Sequence, residues 1–143
     1  MVYGQRYSSA GALVGSEFLV NTYVTGAQYE PTVATLSDGG FVVVWRSDSQ
    51  DGNSAGVYGQ RYDAAGAEVG AEFQVNETTT GGQYQPAVTG LSTGGFVVSF
   101  YNAMVSAKAA NAPPETIEQY EVVYKEFLAA NREGRELTNP IPF

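Results

Sequence analysis

The chain contains neither cysteine nor histidine. Lack of cysteine excludes a disulfide framework and a thiolate metal site. Lack of histidine removes the commonest general base and the commonest transition-metal ligand together. Nucleophilic triads of the usual Ser–His and Cys–His kinds therefore cannot be assembled. Neither a P-loop nor a GxGxxG turn opening a helix occurs, so the expectation is a protein that is not an enzyme. Basic residues are scarce, seven against fifteen acidic ones, for a net charge of −8. Polyanions are repelled by such a chain, so nucleic acid and acidic membrane surfaces are poor partners and cations better ones. No run of about 18 apolar residues exists, and no membrane insertion is expected. The first residues show no basic and apolar regions of a cleavable secretory signal, and the chain reads as an internal start or an excised piece.

What is present is equally specific. Seventeen glycines, 13% aromatic residues and only 15% charged residues describe strands joined by tight turns. The hexapeptide VYGQRY occurs at Val2–Tyr7 and again at Val57–Tyr62. Aligned without gaps at a period of 55 residues, positions 2–46 and 57–101 share 28 identities in 45. This is an internal repeat. The period holds four strand candidates, which in the complete middle copy are YEPTVATL, FVVVWR, VYGQRY and AEFQVN. Turn signals separate them: SDGG, SQDGNSAG and DAAGAEVG.

The alternation within each strand predicts its surroundings. In FVVVW, Phe41, Val43 and Trp45 point one way and Val42 and Val44 the other, so both faces are apolar and both must be covered. VYGQRY is mixed, and is expected further from the centre and in touch with water. Each repeat then reads as a four-stranded antiparallel sheet needing a neighbour on either side. Radial stacking in a β-propeller supplies both neighbours, whereas a sandwich covers one face per sheet and solenoid repeats are usually shorter. The expected fold is all-β, with two blade equivalents so permuted that the chain starts at a third strand and stops after a second. A closed propeller takes about four to eight blades. Homo-oligomerisation, with the end strands of one copy completing those of the next, is the expected route to closure.

GGFVVVW, the loop SDSQDGNSAG, VYGQRYDAAGAEVGAEFQVN and the Q.P before the next strand resemble a tandem repeat of large secreted bacterial proteins that often carry calcium-binding RTX-type repeats. The resemblance covers residues 2–101. It implies propeller-like blades, a role in adhesion or binding, and a secreted or cell-surface location.

Beyond the repeat region the composition changes abruptly, to an Ala-rich and Lys/Glu-rich tail. Residues 102–114 read as a linker and residues 115–133 as one C-terminal α-helix. Pro113, Pro114 and Glu115 mark its start, and Ile117, Tyr120, Val123, Tyr124, Phe127 and Leu128 form its apolar stripe. Gly134 suits its C-terminal cap, and residues 134–143 are expected to be extended. The helix would cover an exposed sheet edge or dock a partner.

Two candidate sites emerge. Asp48, Asp51 and Asn53 place three oxygen-bearing side chains around Gly52, and Ca²⁺ is the one cofactor such a loop would admit. The spacing is neither that of an EF-hand nor that of a GGxGxD roll, and a solvated Asx-rich turn explains the same residues. The repeated pairs Gln28-Tyr29 and Gln83-Tyr84 set an aromatic beside an amide, as glycan recognition requires, with repetition adding avidity. A repeated residue in a repeat is, however, usually structural. Arg6, Arg46 and Arg61 could reach a carboxylate or sugar acid, against interior pairing with an acid or stacking on tyrosine. The expected function is a structural or adhesive binding module, with a lectin-like module or a pure assembly module as alternatives.

Overall fold

The computed structural model describes residues 1–103, and within them the protein is all-β. Eight strands follow in order: β1 (Tyr3–Tyr7), β2 (Leu13–Leu19), β3 (Gln28–Thr35), β4 (Phe41–Asp48), β5 (Ala55–Tyr62), β6 (Glu68–Gln74), β7 (Gly82–Gly90) and β8 (Phe96–Ala103). They form an antiparallel pair β1–β2, a four-stranded sheet β3–β4–β5–β6, and a second pair β7–β8. Among the described residues the sheets are open and do not close into a ring. The expected helix and extended tail lie outside the described residues, and β8 runs two residues past the repeat limit at 101.

The repeat is obeyed down to backbone irregularities. The β1–β2 ladder shifts register between Gly4 and Arg6, with the extra residues in β2, and the β5–β6 ladder repeats the shift between Gly59 and Arg61, with the extra residues in β6. Glu30 and Gln85, one period apart, both take positive φ, at 53° and 54°. Val2 N donates to Asn21 Oδ1 at 2.6 Å, and Val57 N donates to Asn76 Oδ1 at 2.8 Å. Each asparagine thus fastens the base of its own hairpin by satisfying a buried amide.

The four-stranded sheet lies between the two pairs, and its alternating valines decide which face meets which. Phe41, Val43, Trp45, Tyr58 and Tyr62 gather with Val2, Phe18 and Val20 from the β1–β2 side. Val42, Val44 and Leu36 gather with Val88, Phe96 and Val98 from the β7–β8 side. The doubly apolar FVVVW therefore has the two covers its pattern demanded. Phe41 stacks on Tyr62 with centroids 4.8 Å apart and planes 12° apart, and Phe18 meets the same tyrosine edge-on.

VYGQRY departs from the expectation of a water-facing strand. Seven of the eight residues of β5 are buried, because β1–β2 roofs Tyr58 and Tyr62 while Phe73 closes over Gly59 from β6. A Cβ on Gly59 would sit 2.7 Å from the Phe73 ring, so only glycine lets that ring down. The exposed strands are the two at the edges of this sheet, β3 and β6. Burial pushes the Tyr58 phenol up to about 12, helped by the Asp51 and Glu72 carboxylates, and pushes Tyr62 up to about 12 as well, with Glu68 and Glu72 adding.

Candidate functional site

The β3 bulge between Tyr29 and Thr32 shapes the end of the sheet that carries the β4–β5 loop. A bulge re-aims side chains, and here it sets Tyr29 across from Arg46, its partner in the ladder. The Arg46 guanidinium lies 5.1 Å from the Tyr29 ring centroid and 4.5 Å from that of Tyr84, which arrives from the neighbouring pair β7–β8. Arg46 Nη2 stands 2.9 Å from Asp48 Oδ1, and Nε donates to the same oxygen at 3.1 Å. Of the two expectations for Arg46, pairing with an acid and stacking on tyrosine, the structure has both. Arg61 pairs with Asp38 at 2.6 Å. Arg6 donates to the Ala64 carbonyl at 2.7 Å and to that of Ala65.

The repeated QY pairs divide into buried and exposed halves. Gln28 and Gln83 are buried, their amides donating to the carbonyls of Thr25 and Thr80. Gln83 also accepts from Asn76 at 3.0 Å, joining the hairpin base to β7. Tyr29 is 45% exposed and Tyr84 half-buried, with the Tyr84 hydroxyl 3.4 Å from Ser54 Oγ. An external ligand would therefore meet the tyrosines and not the glutamines.

The three loop residues do not converge on a point. Asp48 turns to Arg46, Asp51 Oδ1 accepts from the Asn53 amide, and Asn53 Oδ1 accepts from Ser54 N. The bond from Asn53 N to Asp51 is that of an Asx turn. Among the described residues no group of three or more His, Cys, Asp or Glu is placed to hold a metal ion. In the β3–β4 turn, a hydrogen bond from the Gly40 amide and a second from Arg61 hold the Asp38 carboxyl below its ordinary value.

Further ties gather at the same end. Glu72 accepts from Gln50 Nε2 at 2.6 Å and from Thr22 N at 2.7 Å, binding β6 to the β4–β5 loop and to the segment after β2. Glu30 Oε2 accepts from Gln85 N, one repeat further on. This end is a set of clasps between successive sheets, with Tyr29 as an exposed aromatic face. The Asn76–Gln83 bond and the Glu72 links escaped the sequence reading. Repetition marked these residues, but their partners come from different strands. Comparison with protein-family models, with curated proteins and with solved structures finds no match to this chain.

Proposed function

We propose that the protein is a structural or adhesive binding module built of β-propeller-type blades, which works by self-assembly and not by catalysis. One observation carries this reading: among the described residues the β1–β2 pair exposes an apolar face, and no strand pairs with the outer edge of β1. On β1–β2 the ladder pairs Tyr3 with Leu19 and Tyr7 with Leu13, and these four side chains are 54, 39, 63 and 66% exposed. Their counterparts Tyr58 and Tyr62 lie under a neighbouring sheet. An apolar surface of this kind marks a site of protein association, and an unpaired edge is a template for another strand. The resemblance to secreted repeat proteins supports a place at the cell surface or outside the cell.

The direct test is absolute mass by light scattering across a concentration series. A discrete oligomer is the expected result, and a monomer at every concentration sinks the reading. A glycan-binding role has Tyr29 in its favour, as an exposed ring beside a fixed guanidinium. It predicts saturable binding on a glycan panel that Tyr29→Ala abolishes while the thermal midpoint stays put.

A further inference from the structure

A groove of about 510 Å³ opens between β1 and the face of β3–β4, with Val2 and Tyr7 on one side and Val33, Phe41 and Val43 on the other. The repeat indicates what fits it. Val88, Phe96 and Val98 stand one period beyond Val33, Phe41 and Val43, and they pack on Leu36, Val42 and Val44. The same trio in the first copy faces the groove, with Val33 62% exposed.

We propose that the groove receives the β7–β8 pair of a second copy of this chain. The proposal rests on the self-assembly reading above and gives it a geometry. The outer face of β7–β8 carries Leu91 and Val97, 41 and 55% exposed. These occupy the positions of Leu36 and Val42, the residues that the second trio already meets inside one chain. Groove and hairpin therefore repeat, between chains, an interface the fold makes within one. Seating the hairpin also brings the outer edge of β8 alongside β1. The β4–β5 ladder, which pairs Phe41 with Tyr62 and Val42 with Arg61, fixes the register: Phe96 opposite Tyr7, Val97 opposite Arg6, and Ser99 opposite Gly4. Phe96 then stacks on Tyr7 as Phe41 stacks on Tyr62. A four-stranded sheet β7–β8–β1–β2 results, shared by two chains. Because the contact is head-to-tail, it passes from chain to chain until the ring closes.

Glycine supplies a selective test. A Cβ on Gly40 would stand 2.4 Å from the Tyr62 carbonyl on the adjoining strand. At Gly95, one period on, the nearest atom it would meet is Leu91 Cδ1 at 3.7 Å. The proposed register sets Gly95 of the seated hairpin against the Tyr7 carbonyl of the chain that receives it. Gly95→Ala is thus expected to keep the native circular dichroism spectrum while the oligomer of the parent chain, and the concentration dependence of its thermal midpoint, are lost.

The absence of cysteine allows a second arm. A variant with Arg6→Cys and Val97→Cys, oxidised in solution, is expected to give a reducible ladder of cross-linked chains, since ladder partners lie about 5 Å apart at Cα. Glu17→Cys with Val97→Cys moves one thiol to the next strand and is expected to give none. Within one chain the four-stranded sheet separates β1 from β8, so neither pair can close intramolecularly. If the parent is an oligomer that Gly95→Ala leaves intact, or if both cysteine pairs cross-link equally, this docking is overturned while self-assembly stands. A monomeric parent, including one whose groove is filled by its own residues 104–143, overturns both.

Discussion

The two copies of VYGQRY make the same strand with the same register shift against the strand that follows, and yet they live in opposite surroundings. Tyr58 and Tyr62 are 6 and 2% exposed, whereas Tyr3 and Tyr7 are 54 and 63% exposed. Val42 is fully buried and its counterpart Val97 more than half exposed. Local sequence thus sets backbone course, bulge and turn, and the presence of a neighbouring sheet sets burial. Small departures from the repeat follow the surroundings. Val44, fully buried, is matched by Ser99, which is exposed on the outer face of β8. Asp38, which pairs with Arg61, is matched by Thr93.

This contrast can be broken most forcefully at Trp45. Trp45→Ala is expected to cost about 3–5 kcal/mol in urea denaturation, because the ring is wholly buried. Phe100→Ala, at the matching position of β8, is expected to cost clearly less, since Phe100 is only half-buried; equal losses would show that the end pair is as enclosed as the centre. Next comes alkaline pH. Phenols raised to about 12 in the folded protein and near 10 when unfolded keep the folded state the better proton binder between those values. Stability is therefore complete below pH 10 and declines as pH climbs to about 12, by on the order of 2–3 kcal/mol for each tyrosine. Tyr62→Phe is expected to flatten this decline without harm at pH 7, because Tyr62 Oη has no hydrogen-bond partner among the described residues. A pH profile unchanged by the substitution would refute the assignment.

Smaller effects sharpen the comparison. Gly40→Ala, which drives a methyl into a carbonyl, is expected to lose about 1–3 kcal/mol, with the Gly95→Ala chain as the matched control for folding. Asp38→Thr, which writes the second copy's residue into the first, is expected to produce a slight loss that vanishes in high salt, since the pair with Arg61 is exposed. Smallest of all is calcium: adding it or chelating it is expected to leave the thermal midpoint of the described fold unmoved, given that Asp48 is paired with Arg46 and that no group of three or more acidic side chains gathers among the described residues.

Much of the fold was legible in the sequence because the information is local. The four strands of the middle copy, the turns between them and the two apolar faces of FVVVW all follow from alternation and glycine placement. The burial of β5 was not legible. Its Tyr-Gly-Gln-Arg-Tyr pattern is ambiguous in itself, and its cover comes from β1–β2, about forty residues earlier in the chain. The candidate site divides along the same line. Tyr29 and Tyr84 were visible as a repeated pair, and Arg46 as an arginine among aromatics. Their convergence depends on how β7–β8 sits against the middle sheet, which periodicity cannot express. The loop acids show the reverse case: their spacing was visible, and the structure spends it on an Asx turn.

The asparagine clasps have a consequence for how the molecule assembles itself in time. Each one joins residues only 19 apart, Val2 to Asn21 and Val57 to Asn76. Closing so short a loop has a low entropic cost, and hairpins of this kind form on the microsecond scale. The chain therefore has two early folding centres, one in each copy, each able to close before the other. Docking the β1–β2 roof onto Trp45, Tyr58 and Tyr62 requires contacts of long sequence separation and belongs to the slow step. Removing Asn76 would accordingly retard refolding, while removing a contact between sheets would chiefly hasten unfolding.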